Sequence, residues 1–155
     1  MKAIHWIIAA AAFAFVQPAQ AGVNDPEVLI YRFPGVQDDG GNTFAGVATV
    51  FHCTNFSGAT ETIRFVPRTA NGVLVNNLTV TIAHLATVGE GSHFTRAYPG
   101  AGSLLFGGLS EGTMAIAATS TNIICSAMTV DASTTVPVGV ALRGIRFNPV
   151  PGSQE

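Results

Sequence analysis

The chain has 155 residues, of which 48% are hydrophobic and only 10% are charged, against about 25% charged in a typical soluble domain. Its formal net charge is −2, and the sequence contains no basic stripe that would neutralise a phosphate backbone, so nucleic acid is not an expected partner. The length suits one domain with a substantial core and is too short for two ordinary domains.

The first 21 residues have the form of an export signal. Lys2 gives a positive start, residues 7–16 are apolar, and Ala19-Gln20-Ala21 is a small-x-small cleavage motif. An apolar helix of this length covers only about half of a bilayer core of about 30 Å, which argues against an uncleaved anchor. We therefore expect cleavage after Ala21, a secreted or periplasmic product, a single domain at 22–155, and no membrane span after signal removal.

The chain after the signal begins with short β-like runs separated by turn residues. A first strand is predicted at 29–33, and a turn follows at 38–42, where Asp, Gly and Asn tolerate unusual backbone angles or bond their own backbone. A long strand is predicted at 47–56, because this run is rich in β-branched and aromatic residues and contains no proline.

A β-hairpin is predicted next. Residues 60–67 alternate, with Ile63 and Phe65 on one face, and Asn71-Gly72 is a strong turn signal. The returning strand places Leu78, Val80 and Ile82 on its inward face.

Residues 89–112 differ in composition from the rest of the chain, because glycine recurs throughout them. Short strands are predicted around 93–98 and 104–106 inside what is otherwise a long loop region. Long loops often carry binding sites, so this Gly-rich region is the place where we expect a ligand to be held.

The last strands are predicted at 113–119, 122–130 and 136–147, with a bulge at Gly144 that resets the register of the final one. The tail from Asn148 is expected to be irregular. The sequence therefore predicts an all-β fold, an antiparallel β-sandwich of about eight or nine strands with a core at about 28–147.

The chain after the signal contains two cysteines, Cys53 and Cys125, each within a predicted strand. An exported protein meets an oxidising compartment, so one disulfide between them is expected. It would close a loop of about 72 residues and contribute roughly 4 kcal/mol on the chain-entropy model. With no Cys-x-x-Cys motif and no third cysteine, a redox or metal role for these thiols is not expected.

Four short segments follow one another along the chain: Cys53-Thr54-Asn55, Asn71-Gly72, Ala118-Thr119-Ser120-Thr121 with Cys125, and Thr129-Val130-Asp131. Together they resemble a loose group of uncharacterised exported bacterial immunoglobulin-like β-sandwich proteins with one disulfide. The resemblance covers about residues 45–147 and implies an immunoglobulin-like fold with no known activity. The chain also resembles fimbrial subunits in its composition and single disulfide, but it differs from them in the spacing of its cysteines and in the sequence of its end.

Catalytic chemistry is not expected. Ser110 stands in a Gly-x-Ser-x-Gly sequence, but a nucleophile elbow needs a helix after it and, in chain order, a later acid and histidine. The last histidine in the chain, His93, precedes Ser110. We therefore expect no catalytic residues and no cofactor.

The histidines and acidic residues of the chain do not predict a metal site. The histidines His52, His84 and His93 lack the local spacing that builds half of a zinc or copper site. Asp38, Asp39 and Asn42 offer hard oxygen ligands for Ca²⁺, but their spacing fits no defined calcium loop, and acidic turns are usually solvated.

The functional expectation is a non-catalytic extracytoplasmic module that acts by surface contact in the cell envelope or secreted matrix. Its expected partner is an unknown protein or glycan. Self-association through edge strands is a further expectation, because this sequence has few charged residues that would protect such edges. The alternatives are a carbohydrate-binding module, with Tyr31, Phe94 and Tyr98 stacking on a sugar near the 89–112 region, and a fimbrial-type subunit.

Overall fold

The computed structural model describes residues 27–40 and 43–147, and every helix or strand in these two ranges is a β-strand. The predicted signal at 1–21 with its cleavage point, Asn42, and the tail from Asn148 lie outside the described residues. The described strands are β1 Val28–Asp38, β2 Val47–Asn55, β3 Glu61–Thr69, β4 Leu78–Ile82, β5 Thr87–Gly91, β6 Gly102–Ser103, β7 Leu109–Ala118, β8 Ile123–Asp131, β9 Gly139–Leu142 and β10 Ile145–Arg146.

The strands form two five-stranded sheets. The first has the order β10-β1-β7-β3-β4 and the second the order β6-β5-β2-β8-β9. All neighbours are antiparallel except β5 and β6, which are parallel. The described strands number ten, not the expected eight or nine. Seven of them correspond to expected strands, whereas β5 and the two-residue strands β6 and β10 were not expected.

The core lies between the two sheets, in a sandwich-like arrangement. Phe51 of the second sheet packs against Phe33 and Phe65 of the first, with ring centroids 5.7 and 6.1 Å apart. These rings are fully buried, and burying a phenylalanine side chain contributes about 1.5–3 kcal/mol. The alternation expected for β3 is confirmed, since Ile63 and Phe65 are buried while Arg64 between them is partly exposed.

The predicted hairpin is also confirmed. β3 pairs with β4 from Glu61↔Ile82 to Phe65↔Leu78, so the predicted face of β4 lies toward the core. The turn at Asn71-Gly72 has Gly72 at a positive φ of 80°, which glycine adopts without strain, and the Val73 carbonyl accepts from the Thr69 amide.

The expected strands at 93–98 and 104–106 are wrong. The chain leaves β5 at Gly91, crosses the outer face of the second sheet at 92–101, and returns as β6. Tyr98 and Ala101 of this crossing pack on Val50 and Val130, away from the main core. Leu104 and Phe106 lie in a loop, and their side chains are buried. Their backbone amides donate to the carbonyls of Gly91 and Ser92, but these bonds do not extend into a strand.

The single bulged strand expected at 136–147 is also wrong. The segment splits into β9, at the edge of the second sheet, and β10, at the edge of the first. The break falls at Gly144, where an added Cβ would lie 2.5 Å from the Phe33 ring. Gly144 is therefore needed for a close approach where the chain passes from one sheet to the other, and not for a bulge within one strand.

The predicted disulfide between Cys53 and Cys125 is confirmed, and it lies within one sheet. The two cysteines face each other on β2 and β8, with Cα atoms 4.1 Å apart. In antibody domains the corresponding bridge joins the two sheets. Both cysteines belong to the core, and the adjacent His52 points to the opposite face, as the period of a strand requires.

Candidate functional site

The three aromatic residues expected to stack on a sugar do not share one surface. Tyr31 is only 7% exposed and lies in the core, where its ring stacks on Phe33 at 5.7 Å. The guanidinium of Arg146 lies 5.9 Å from the centre of the same ring. Tyr31 is therefore a packing residue of β1 and not part of a binding surface at the Gly-rich region.

Tyr98 lies in the 92–101 crossing and is half-buried. Its hydroxyl donates to the Met128 sulfur at 2.9 Å, and its ring lies 4.6 Å from the His52 ring in an edge-on arrangement. Burial lowers the pKa of His52, because the charged imidazolium loses solvation there. Tyr98 thus anchors the crossing to the sheet.

Phe94 is the aromatic residue of the three that is exposed, at 41%. Its ring lies 6.5 Å from that of Phe44, and the Phe44 amide donates to the Phe94 carbonyl at 3.0 Å. The Arg96 guanidinium lies 5.3 Å from the Phe44 ring. Phe44 carries a positive φ of 64°, a conformation that only tertiary contacts can hold for such a residue. The pairing of Phe44 with Phe94 could not be predicted from local sequence, because the two residues are 50 positions apart.

Ser110 lies inside strand β7 and not at a strand-to-helix turn. It borders a cleft of about 630 Å³ together with Asp38 and Asp39. His93, the last histidine of the chain, has a partner at each ring nitrogen. The position of Ser110 within a strand therefore differs from that of a nucleophile elbow.

The three histidines occupy separate surroundings. His52 packs on Tyr98, and the ring nitrogen Nδ1 of His84 accepts from the Gly58 amide at 3.0 Å. His93 lies with Asp38 and Asp39 in the one group of possible metal ligands found among the described residues, with ligand atoms within 4.8 Å of one another.

Glu90 of β5 is an unusual buried acid. It is 6% exposed, its Oε2 atom has no hydrogen-bond partner, and its carboxylate lies over Gly102 of β6. Burial raises the pKa of this carboxyl, because the charged form is poorly solvated there. An added Cβ at residue 102 would lie 2.3 Å from the carboxylate, so the short strand β6 needs glycine at this point.

The edge strand β9 has an exposed apolar surface. One side of β9 pairs with β8, from Val130↔Gly139 to Ala127↔Leu142, and in the described residues its other side has no strand partner. Val140 is 71% exposed, and Val136 and Val138 just before the strand are similarly exposed. No charged residue occurs between Asp131 and Arg143. The backbone groups and side chains of this edge are thus open to a partner strand.

A cleft of about 540 Å³ adjoins this edge, between the two sheets. Gln37 of β1 and Val47 of β2 border it, together with Thr129 and Val140. β10 pairs with β1 only at Tyr31 and Arg32, and no other described strand pairs with that side of β1. Farther along β1, the Gln37 backbone bonds the Thr49 hydroxyl of β2 instead. β9 therefore borders the mouth of this cleft, whose lining also includes Asp131 and Ser133.

Comparisons with known proteins do not add to this geometry, since no protein-family model, curated protein or solved structure matches the chain. In the described ranges, no helix is long and apolar enough to cross a membrane.

Proposed function

We propose that the protein is an exported, non-catalytic β-sandwich module that works by self-association through the edge of β9. The observation that carries this proposal is the uncharged edge of β9, which has no strand partner among the described residues, with Val136, Val138 and Val140 exposed along it. Such edges are templates for pairing with another strand, and proteins that stay apart usually protect them with charge, proline or a bulge. β9 itself, Gly139–Leu142, contains neither a charged residue nor a proline, and Pro137 precedes it.

Pairing of two copies would use both the backbone and the side chains of β9. Antiparallel association about a twofold axis would join the two second sheets into one continuous sheet and would satisfy the outward-facing amides and carbonyls. Val140 shares its face with Leu142, which packs against the core, so association would also cover Val140 at the mouth of the cleft. Each fully buried valine contributes about 1.5 kcal/mol or more.

A second copy is the occupant that this edge favours. The edge offers no charged side chain that would select a partner of opposite charge. A twofold interface instead requires a surface that is complementary to itself, and a short uncharged aliphatic strand meets this requirement.

The test is the oligomeric state of the purified protein, measured by size-exclusion chromatography with light scattering over a range of concentrations. We expect a dimer, and we expect Val140→Lys to shift it to monomer. The matched control is Val73→Lys, because Val73 is 62% exposed at the tip of the β3–β4 hairpin, away from β9. A monomer at every concentration, or equal disruption by both variants, would overturn the proposal.

Export and the immunoglobulin-like assignment are parts of the same proposal. A disulfide is compatible with an oxidising compartment, and the form of residues 1–21 favours a cleaved signal. Mass spectrometry of protein recovered outside the cytoplasm of an expression host is expected to give a chain starting at Gly22. Two packed sheets support the immunoglobulin-like assignment, whereas the bridge within one sheet departs from it.

A second candidate is glycan binding, which the exposed pair Phe44 and Phe94 favours. These rings lie beside a cleft of about 290 Å³ that Phe94, Thr43 and Ser103 help to line. Glycan-array binding that Phe94→Ala abolishes and Tyr98→Phe retains would support this candidate. An array without hits would remove it.

A further inference from the structure

Asp38 and His93 form a buried polar pair that neither the proposed association nor the packing of the sandwich requires. Asp38 ends β1 and is 2% exposed, and His93 begins the 92–101 crossing and is 8% exposed. The His93 Nδ1 atom lies 3.1 Å from Asp38 Oδ2, and its Nε2 atom lies 2.9 Å from the Ala45 carbonyl oxygen. The pair thus joins segments that are 55 residues apart.

The hydrogen-bond geometry of this pair requires a positive charge, a proton or a metal ion, between the His93 ring and the Asp38 carboxylate. A carbonyl oxygen accepts only, so the Nε2 atom that faces Ala45 must carry the proton. A neutral imidazole then directs the bare lone pair of Nδ1 at the carboxylate Oδ2 of Asp38, and these two lone pairs repel each other. A second proton or a metal ion between the two atoms removes the conflict.

The spacing of the two atoms fits a shared metal ion. Ligand atoms about 2.0–2.2 Å from Zn²⁺, at angles between right-angled and tetrahedral, are about 2.8–3.6 Å apart. The observed distance is 3.1 Å. Metal-binding histidines usually donate their other ring N–H to a carbonyl or a carboxylate, and the Ala45 carbonyl has this place here.

Asp39 offers a third donor beside this pair, since its carboxylate oxygen lies within 4.8 Å of the ligand atoms of Asp38 and His93. Its carboxylate lies over Gly46, where an added Cβ would be 1.8 Å from Oδ2, and it accepts from the Val47 amide at 2.8 Å. Gly46 has a positive φ of 70°, so glycine is favoured there both by conformation and by space. Asp38 in turn accepts from the Gly40 amide through Oδ1, which leaves Oδ2 directed at His93.

We infer that Asp38, Asp39 and His93 bind a divalent transition-metal ion, with Zn²⁺ as the best fit. One imidazole nitrogen with two carboxylate oxygens is a donor set that zinc accepts, whereas Ca²⁺ prefers oxygen ligands throughout. A cleft of about 290 Å³ borders Asp38 and His93, so a fourth position is open to water or an added ligand. This site differs from both metal sets considered from the sequence, because it joins one histidine to the acidic turn.

The test is titration of EDTA-treated protein with ZnCl₂, followed by calorimetry and by thermal melting. We expect one ion per chain and a rise in melting temperature. His93→Gln is expected to abolish binding, and Asp39→Asn to weaken it about tenfold or more. Asp39→Asn retains an acceptor for the Val47 amide, so it reports on binding even if His93→Gln does not fold.

The matched control is His84→Gln, because His84 is an exposed histidine outside this group. It is expected to bind Zn²⁺ as the parent protein does. The inference is overturned if Zn²⁺ gives neither heat nor a melting shift, or if His84→Gln loses binding as His93→Gln does. Binding of Ca²⁺ that is as tight as that of Zn²⁺ and insensitive to His93→Gln would also overturn it.

Discussion

Breaking the Cys53–Cys125 disulfide is expected to destabilise this protein strongly. The bridge joins residues that are 72 apart in sequence and directly opposite each other on β2 and β8. Reduction leaves the strand pairing of the folded state in place, since the register between β2 and β8 extends from Val47 to Asn55. The main effect is therefore expected in the unfolded chain, which gains freedom when the bridge is removed.

The size of this effect follows from the length of the closed loop. For a separation of 72 residues, the chain-entropy relation gives a loss of about 4.4 kcal/mol in the free energy of unfolding at 25 °C. Domains of ordinary stability have an unfolding free energy of about 5–15 kcal/mol, so the loss would remove between about a third and nine tenths of the stability. With a urea dependence of about 1.5 kcal/mol per molar, the midpoint would fall by about 3 M.

The assay is equilibrium urea unfolding with and without a phosphine reductant. Far-UV circular dichroism is the suitable signal, because the one tryptophan of the chain is Trp6, inside the predicted export signal. The matched control is the double variant Cys53→Ala/Cys125→Ala, which should unfold near the reduced parent protein and should not respond to the reductant.

A fall below about 1 kcal/mol, with an unchanged urea dependence, would refute this reasoning. It would mean that the unfolded chain is already so compact that the bridge restricts it little. A larger fall in the double variant than in the reduced parent would instead measure the packing lost with the two buried sulfur atoms.

Two further predictions concern buried side chains. Because burial raises the pKa of the Glu90 carboxyl above its ordinary value, the folded protein keeps this proton at pH values where the unfolded chain has lost it. Stability contributed by the protonated carboxyl is therefore lost as pH rises through the folded pKa. Glu90→Gln should be more stable than the parent protein at pH 8 by about 1 kcal/mol or more. Its melting temperature should also change less with pH. An unchanged profile would contradict this assignment. Phe51→Ala should lower the free energy of unfolding, measured in urea, by about 3–5 kcal/mol. The control Phe56→Ala changes an exposed side chain and should lower it by about 0.5 kcal/mol or less. Similar losses in the two variants would contradict the placement of Phe51 in the core.

The parts of the fold that were predictable from sequence depend on neighbouring residues. The alternation around Ile63 and Phe65, followed by Asn71-Gly72, specifies the β3–β4 hairpin, since the strand period and the turn chemistry act over a few residues. The disulfide was predictable because only two cysteines remain after the export signal.

The parts that were not predictable depend on contacts distant in sequence. The alternation around Tyr98 resembles a strand, but Tyr98 packs on the outer face of the second sheet, and nothing local specifies that face. The split at Gly144 depends on the position of the Phe33 ring, more than 100 residues earlier. The acidic turn was recognised, yet its histidine partner was not, because Asp38 and His93 meet only through the folded chain.

Charged side chains are scarce, and the described ones are largely engaged in contacts within the chain. Glu90 and Asp38 are buried, and Arg64 pairs with Glu27. Three further arginines lie over aromatic rings: Arg32 over Phe147, Arg96 over Phe44, and Arg146 over Tyr31. The charged residues nearest β9 are Asp131 and Arg143, which are exposed and flank the uncharged segment that contains the strand.

This distribution of charge makes a prediction about the association of two copies. An interface formed by backbone pairing and aliphatic side chains does not depend on screened charges, so the dissociation constant should change by less than about twofold between about 50 mM and 500 mM NaCl. The measurement is sedimentation or light scattering at both salt concentrations. Strong weakening in salt would show that charged groups hold the copies together, which the uncharged segment between Asp131 and Arg143 cannot provide. The contact surface would then have to lie elsewhere than at β9.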